Sequence, residues 1–299
     1  MPPRTRPDPF ADDAARGWDS SALDLDAYLD ALGISGPLGP DAASAAALHR
    51  AHAAALPFAN TDVLLGRTVS LDLADIQEKL VRRSRGGYCY EHNLLLAAAL
   101  ERIGIRATGH LGRIRVGGRF TPATHMLLGL DVQGERLIAD VGFGGGGLRE
   151  PMPRAAGSES VQGEWTYRID AEESPGEHSQ ENGTRVLSSR TGDGWTDLYS
   201  FTDQPAYRND YEIFNHYLCT HPRSPFKARL FALRAVGKVR HRLMNTELSA
   251  EYPDGTGEAR ELSRDEVPEA LRDVFGVRLD TDDAHAVGDA AVRLAQGSP

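Results

Sequence analysis

The sequence contains few cysteines and no long apolar run. Two cysteines, Cys89 and Cys219, occur among 299 residues, which are too few to build a disulfide framework. No apolar stretch approaches the ~20 residues that a helix needs to cross a bilayer. These absences argue against a disulfide-stapled secreted domain and against a membrane-spanning protein. Because no apolar segment near the start resembles a secretory signal, we expect a reducing, cytoplasmic location.

Positive charge is also scarce. The chain has 33 Lys and Arg against 43 Asp and Glu, which gives a formal net charge of -10. A general nucleic-acid binder would carry a basic excess, so we expect neither a nucleic-acid partner nor a membrane partner. Hydrophobic residues at 40% and charged residues at 25% are an ordinary balance for a globular protein that buries a core.

The pattern of apolar residues changes along the chain. Residues 1–17 include four prolines in the first nine positions, which predicts a flexible arm. Residues 18–104 show helical spacing, residues 105–205 alternate short apolar runs with glycine-rich turns, and residues 206–299 mix both patterns. The acidic segment 170–182 is typical of a solvated loop. The sequence therefore predicts an α+β fold: a helical block, then a β block, then a mixed block.

Several elements can be placed individually. A helix after Ser21 should end at Gly33, and a second helix should begin at Asp41 as its N-cap. Further helices are predicted over 73–84, 210–220 and 267–276, and strands over 228–236 and 241–252.

The densest chemical motif is the nonapeptide 85–93, Arg-Gly-Gly-Tyr-Cys-Tyr-Glu-His-Asn. An apolar helical run follows it and ends at Gly104, so Cys89 should lie in the first turn of a helix. Free N–H groups and the positive end of the helix dipole favour a thiolate there, and the thiolate is the nucleophilic form of cysteine. The alternative is a small buried hydrophobe, which is what we expect of Cys219.

A cysteine nucleophile needs a base, and His125 is well placed to be one. It opens the apolar run 125–132, and the following Gln133-Gly134 pair suits a tight hairpin. In such a hairpin Val132 faces Glu135, and the same register places Leu127 opposite Asp140. His125 lies on the same face as Leu127, so Asp140 is its diagonal neighbour across the two strands. An aspartate that orients a histidine is the second half of a catalytic triad. The three residues Cys89, His125 and Asp140 therefore form a candidate triad.

Other uses of these motifs fit less well. Cys89 and His92 could share a metal-ligand face, but a closed zinc site needs four ligands, usually in two close pairs, and Cys219 with its neighbouring histidines matches no such template. We therefore predict no metal. Residues 140–147 are not followed by the helix that a dinucleotide fingerprint requires; their glycines suit close passage of a ligand or a second backbone. The turn 221–226 could hold a phosphate or be an ordinary proline turn.

Taken together, these motifs resemble those of the arylamine N-acetyltransferase family. The segment 85–93 is similar to the family's nucleophile motif, 123–130 to its histidine motif and 137–145 to its aspartate motif. The similarity extends over about residues 20 to 285. Its further landmarks are 56–66, which resembles the Pro-Phe-x-Asn segment, and the C-terminal segments 198–201, 215–226 and 271–279.

The resemblance implies a fold and an activity. The fold would be a cysteine-protease-like core, with a helical bundle over 18–104, a β-barrel over 105–205 and an α/β lid over 206–299. The activity would be transfer of an acetyl group from acetyl-CoA to the nitrogen of arylamines, arylhydrazines or similar acceptors, by a ping-pong route through an acetyl-cysteine. Acetyl-CoA would be a co-substrate, and no cofactor would be bound permanently.

The resemblance also implies roles for individual residues. Cys89 would take the acetyl group, His125 would activate Cys89, and Asp140 would orient His125. Seven further residues would contact substrates: Phe143 and Phe201 at the acceptor pocket, Thr124, Gly142 and Gly144 along the thioester arm, and Thr220 and Ser224 at the CoA end.

We expect three other residues of the nucleophile motif, Arg85, Glu91 and Asn93, to support the start of the helix. His92 stands where many members of the family have an apolar residue. It lies one helical turn from Cys89 and could tune the site, but we expect it to face solvent.

Other functions share some of these features. An amide synthase resembles the same family and triad, but takes a long acyl chain from an acyl carrier protein and closes a macrolactam; the shared motifs do not separate it from an acetyltransferase. The full-length C-terminal block favours the acetyltransferase, because it resembles a lid that contacts CoA. A peptidase or transglutaminase fits the family motifs poorly, and a non-catalytic binding module does not account for an intact Cys-His-Asp set.

The two cysteines should differ in reactivity. We predict that a thiol-specific alkylating reagent at neutral pH modifies Cys89 rapidly and Cys219 slowly, because only Cys89 is expected at a helix start beside a histidine. Peptide mass mapping over a time course measures both rates in one sample. Equal rates at the two thiols would contradict the assignment.

Overall fold

The structure is a computed structural model that describes residues 17–115, 117, 121–172 and 183–297. It combines helices and sheets in the predicted order, as a helical part, a sheet and a mixed part. The predicted arm, except Gly17, and residues 173–182 of the acidic segment lie outside the described residues. No helix in the described ranges has the length and apolar character needed to span a bilayer.

The first part of the chain is helical. The helix that begins after Asp24 ends at Gly33, whose φ of 68° is left-handed, and the next helix begins at Asp41, whose carboxylate accepts a hydrogen bond from the Ser44 N–H. Both boundaries confirm the predictions. The helices are α1 Leu25–Leu32, α2 Ala42–Ala55, α3 Thr61–Leu64, α4 Leu73–Gln77 with a following π-helical turn Glu78–Arg82, and α5 Cys89–Arg102; a 3₁₀ turn covers Ser20–Ala22.

The middle of the chain forms an eight-stranded antiparallel sheet. Its strands are β2 Arg106–Ile114, β3 His125–Val132, β4 Glu135–Ala139, β5 Met152–Pro153, β6 Ser158–Gln162, β7 Trp165–Ala171, β8 Arg185–Thr191 and β9 Gly194–Pro205. They are ordered β5-β4-β3-β2-β9-β8-β7-β6. The two edge strands, β5 and β6, contact each other, so the sheet is nearly closed and barrel-like.

The hairpin of β3 and β4 has the predicted register. Gln133 and Gly134 both have positive φ, 51° and 86°, as a two-residue type I′ turn requires. Val132 pairs with Glu135, and the pairing continues in step to the end of β4. Asp140 is the first residue beyond that strand and therefore lies near the start of β3, where His125 is found.

The last part of the chain mixes helices with a second sheet. The elements are α6 Arg208–Thr220, α7 Pro225–Ala228, β10 Phe231–Val236, β11 Val239–Met244, β12 Glu247–Glu251, β13 Gly257–Glu261, α8 Glu266–Ala270 with a following π-helical turn Leu271–Phe275, and α9 Thr281–Ala295. The predicted strand over 241–252 is two strands joined by a turn at Asn245. Strand β1, Phe58–Ala59, comes from the helical part and forms the edge of this sheet next to β10.

Helix α5 lies at the centre of the molecule. Every residue from Cys89 to Leu100 is buried, as expected of a helix that other elements surround. Its first turns nevertheless carry Glu91, His92 and Asn93. Because a buried polar group must find a hydrogen-bond partner, the neighbouring elements have to supply partners for these three side chains.

The prediction that His92 faces solvent is wrong. His92 is fully buried, because α2 packs on this face of α5 and brings His52 against it. His92 Nε2 lies 3.2 Å from the Pro57 carbonyl oxygen, and its Nδ1 lies 2.8 Å from His52 Nε2. The carbonyl can only accept, so His92 donates from Nε2 and accepts from His52 at Nδ1. His52 Nδ1 in turn accepts from the Tyr28 hydroxyl at 2.7 Å. The chain of bonds is complete with both rings neutral.

This histidine pair should make the fold sensitive to acid. Burial lowers the pKa of His92 to about 4, and burial together with the neighbouring histidines lowers that of His52 well below its usual value. Below pH 6.5 the unfolded chain binds protons that the folded chain does not, so the free energy of unfolding falls as pH decreases from about 6.5 toward 4. Full titration of one such histidine corresponds to about 3 kcal/mol.

Urea denaturation between pH 7 and pH 4.5 checks this prediction. The variant His92→Gln should show a shallower pH dependence than the wild type, because one proton-linked group is removed. The same slope in wild type and His92→Gln would contradict the account.

Candidate active site

Cys89 is the first residue of α5, as predicted. The chain reaches it through Gly86, which has a φ of 73°. A Cβ atom at Gly86 would lie 2.9 Å from the Cβ of Ala59 and 3.0 Å from the Pro57 carbonyl oxygen. Both the conformation and the lack of space therefore require glycine at this turn, and the turn places the sulfur at the helix N-terminus.

Glu91, the third residue of α5, caps the N-terminus of the helix. The Glu91 carboxylate accepts a hydrogen bond from the Tyr88 N–H at 3.1 Å, in the manner of a capping box. Lys79 Nζ lies 2.7 Å from the other oxygen of Glu91. This fully buried carboxylate therefore serves as a cap, which confirms the supporting position predicted for Glu91.

His125 and Asp140 form a buried pair. The distance from His125 Nε2 to Asp140 Oδ2 is 2.6 Å. The second oxygen of Asp140 accepts hydrogen bonds from Asn93 Nδ2 at 3.1 Å and from the Gly142 N–H at 2.9 Å. Asn93 lies one helical turn after Cys89, so the helix that carries the thiol also holds the aspartate. Cys89 lies close enough to the His125 imidazole to contribute to its pKa, and the structure thus brings the three predicted residues together.

The charge on this pair follows from its surroundings. Burial alone would lower the pKa of His125, but the charge and hydrogen bond of Asp140, with a further contribution from Cys89, raise it to about 10. Burial alone would raise the pKa of Asp140, and the opposing effects of His125, Asn93 and the Gly142 N–H hold it below its usual value. An imidazolium is therefore favoured at neutral pH at position 125, beside Cys89.

Aromatic side chains surround the imidazole. The Phe143 ring stands edge-on to His125 with a centroid distance of 5.6 Å, and the Tyr199 ring lies 4.9 Å away. Phe201 packs on Tyr199 at 6.1 Å. The two predicted aromatic residues thus lie beside the site. Tyr199 was not predicted, although it shares a strand face with Phe201 and that spacing could have identified it.

Two of the three residues predicted along the thioester arm lie against Cys89. The Thr124 carbonyl oxygen is 4.0 Å from the sulfur. A Cβ atom at Gly142 would lie 2.6 Å from the Cα of Cys89, so glycine is required there. Gly144 instead packs on β10, where its Cβ would lie 2.6 Å from a methyl carbon of Leu233. A Cβ atom at Gly145 would lie 3.2 Å from the Arg234 backbone nitrogen, so the second backbone, one of the two alternatives expected for this glycine run, does pass it.

The two residues predicted at the CoA end lie on the helix α6 and the turn after it. Thr220 is exposed, and its hydroxyl donates to the His216 carbonyl oxygen. Ser224 is fully buried; its hydroxyl donates to the Leu218 carbonyl oxygen at 2.6 Å and caps α7. The structure does not bring either residue to the triad, and their contact with CoA stays a prediction.

His49 was not predicted from the sequence, although it hydrogen-bonds to the backbone of Asp140. Its Nε2 accepts a hydrogen bond from the Asp140 N–H at 3.1 Å. His49 and Leu48 both lie on the buried face of α2, so the helical spacing of that segment was the available signal.

A cavity of about 260 Å³ reaches Asp140 and is lined by residues of α2, the glycine run and β10.

Comparison with known proteins agrees with this geometry. The profile of a family described as N-acetyltransferase matches residues 43–284. An arylamine N-acetyltransferase of Mycolicibacterium smegmatis is 34% identical over 265 residues, which are 86% of this chain and 93% of that protein. A Salmonella typhimurium protein named arylamine N-acetyltransferase / N-hydroxyarylamine O-acetyltransferase is 36% identical over 70% of this chain and 72% of its own length.

Solved structures agree as well. The crystal structure of Nocardia farcinica arylamine N-acetyltransferase superposes with a TM-score of 0.86 at 40% identity, covering 93% of this chain and 97% of that one. Mycobacterium marinum arylamine N-acetyltransferase, solved in complex with CoA, superposes with a TM-score of 0.81 at 29% identity, covering 92% of this chain and 100% of that one.

Replacing Asp140 should change the titration of His125. In Asp140→Asn the carboxylate charge that offsets burial is lost, so the pKa of His125 should fall from about 10 to below its ordinary value of 6.5. NMR titration of the imidazole resonances measures this shift, with the exposed His285 as an internal reference. An unchanged His125 titration would show that Asp140 does not hold the charge.

Proposed function

We propose, because this chain belongs to the arylamine N-acetyltransferase family, that Cys89 carries an acetyl group from acetyl-CoA to the nitrogen of an arylamine or arylhydrazine. The chain is an acyltransferase by that membership. The observation that carries the finer proposal is the Cys89 thiol at a helix start, next to a His125 imidazole whose Nε2 lies 2.6 Å from Asp140. The M. marinum relative solved with CoA supports acetyl-CoA as the donor.

The first half-reaction acylates the enzyme. His125 holds the proton of the Cys89 thiol, and the thiolate attacks the carbonyl carbon of the acetyl thioester. The bond from that carbon to the sulfur of CoA then breaks. CoA leaves as a thiol after it takes the proton from the His125 imidazolium, and the acetyl group remains on Cys89.

The second half-reaction returns the enzyme to its starting state. The acceptor nitrogen attacks the carbonyl carbon of the acetyl-cysteine, and neutral His125 accepts the proton that the nitrogen loses. The bond to Cys89 Sγ breaks, and the sulfur leaves as a thiolate beside the His125 imidazolium, which now carries the proton from the acceptor nitrogen. One difficult acyl transfer is thereby divided into two easier ones.

The surroundings suit both steps. N–H groups in the first turn of a helix have no intrahelical partners, so those at the start of α5 can stabilise the oxyanion of each tetrahedral intermediate. In this proposal Phe143 and Phe201 line the acceptor pocket, Thr124 and Gly142 border the thioester arm, and the cysteine-protease-like core is covered by the third part of the chain as a lid. Gly144 keeps its assignment to the thioester arm, and Thr220 and Ser224 are assigned to the CoA end.

Intact-protein mass spectrometry after mixing with acetyl-CoA, without acceptor, tests the proposal. Wild type should gain one acetyl group, Cys89→Ala should gain none, and Cys219→Ala should gain one like wild type. Addition of an arylamine should remove the group. An adduct formed only from a longer acyl thioester would favour the amide synthase, and no adduct from either donor would contradict the proposed chemistry.

A further inference from the structure

Six charged side chains form a network beneath the turn that carries Cys89. Three are cations and three are carboxylates, and they alternate in sign along the chain of contacts. In order, the members are Arg67, Asp283, Arg85, Asp62, Lys79 and Glu91.

The contacts in this network are short. Arg67 binds both oxygens of Asp283, at 2.6 and 2.7 Å. Arg85 Nη2 lies 2.6 Å from Asp283 and 2.9 Å from Asp62. Lys79 Nζ continues the network, 3.0 Å from the other oxygen of Asp62. Each inner charge therefore touches at least two charges of the opposite sign; Arg67 also lies 3.4 Å from Asp62, and Arg85 lies 3.8 Å from Asp280.

The centre of the network is buried. The side chains of Arg85 and Asp283 are 7% and 8% exposed. The hydrogen bonds of Arg67, followed by those of Arg85, lower the pKa of Asp283 to about 2, so this carboxylate is ionised at neutral pH. Because Arg85 is largely shielded from water, removal of the Asp283 carboxylate would leave this cation with a weaker set of counter-charges, Asp62 at 2.9 Å and Asp280 at 3.8 Å.

The network joins segments that are distant from each other in the sequence. Glu91 caps the helix of Cys89, whereas Asp283 lies in the first turn of α9, 198 residues beyond Arg85. The network therefore connects the last helix of the protein directly to the nucleophile turn.

That turn needs an external anchor. Arg85 is followed by Gly86 and Gly87, and glycine pairs adopt many backbone conformations. On one side the turn is held by backbone hydrogen bonds, from Gly87 N–H to the Pro57 carbonyl oxygen at 3.3 Å and from Ala59 N–H to the Gly87 carbonyl oxygen at 2.8 Å. On the other side the Arg85 N–H donates to the Lys79 carbonyl oxygen at 3.1 Å, and the side chain of Arg85 is held by Asp62 and Asp283.

We propose that Asp283 is a positioning residue for Cys89: through Arg85, the C-terminal helix holds the nucleophile turn in the geometry that acylation requires. The inference rests on the proposed role of Cys89 as the nucleophile. Asp283 touches no reacting atom in this account. Its effect should therefore be on the rate of acylation rather than on the binding of the donor.

A second aspartate on α9 provides a matched control. Asp289 forms an ion pair with Arg264, which, like Asp283 with Arg85, joins the helix to another segment. This pair is exposed and has no contact with the nucleophile turn among the described residues. Loss of Asp289 should thus loosen α9 without releasing Arg85.

The test compares Asp283→Asn, Asp283→Glu and Asp289→Asn in rapid-quench single turnovers with acetyl-CoA. Asp283→Asn should lower the acylation rate constant at saturating donor at least tenfold, as expected for a displaced nucleophile, with the half-saturating acetyl-CoA concentration unchanged. Asp283→Glu, which keeps the charge, should recover part of the rate. Asp289→Asn should match wild type.

Alkylation of Cys89 by iodoacetamide is measured in parallel, because it does not depend on the identity of the acyl donor. Failure of wild type to accept acetyl from acetyl-CoA would count against the proposed function, while the alkylation rates would still decide the role of Asp283. Wild-type rates of both reactions in folded Asp283→Asn, or equal slowing in Asp289→Asn, would overturn the inference. If Asp283→Asn does not fold, the milder variant Arg67→Gln is tested in its place. Acylation of Cys89 should then be slower than in wild type, and wild-type rates would contradict the inference.

Discussion

The buried hydrogen bond between His125 and Asp140 is the interaction on which the candidate site depends. Removing two charges from water costs several kcal/mol per ion, and only good geometry with further hydrogen bonds offsets that cost. The structure supplies both: a 2.6 Å contact, and donors from Asn93 and the Gly142 N–H on the second carboxylate oxygen. The surrounding residues keep this pair ionised, shield it from water and hold it beside Cys89.

Helix α5 links the parts of that arrangement. Its first residue is Cys89, its third residue caps the helix, and its fifth residue, Asn93, holds Asp140. The positions of the nucleophile, the helix cap and the partner of Asp140 thus all follow from the spacing of side chains at the start of one helix. Since α5 is buried on all sides, each polar residue in its first turns has a partner from a different element: Lys79 for Glu91, His52 for His92, and the start of the β3–β4 hairpin for Asn93.

The local parts of this architecture could be predicted from sequence, and the long-range parts could not. A Gly-Gly pair before an apolar run was enough to place Cys89 at a helix start, and Gln133-Gly134 was enough to define the register that brings Asp140 to His125. His92 was assigned to solvent because nothing in its own segment shows that α2 packs on it. Asp283 was missed because its partner is 198 residues away. The residues alone suggested thiol chemistry, while the resemblance to a family supplied the acyl donor and acceptor.

The central claim is that the acetyl group rests on Cys89 between donor and acceptor. Initial velocities measured over a grid of acetyl-CoA and arylamine concentrations test it most directly, because a covalent enzyme intermediate separates the two substrates kinetically. The account predicts parallel lines in the double-reciprocal plots. Lines that intersect would mean that both substrates must be bound before transfer, and would contradict the acetyl-cysteine route.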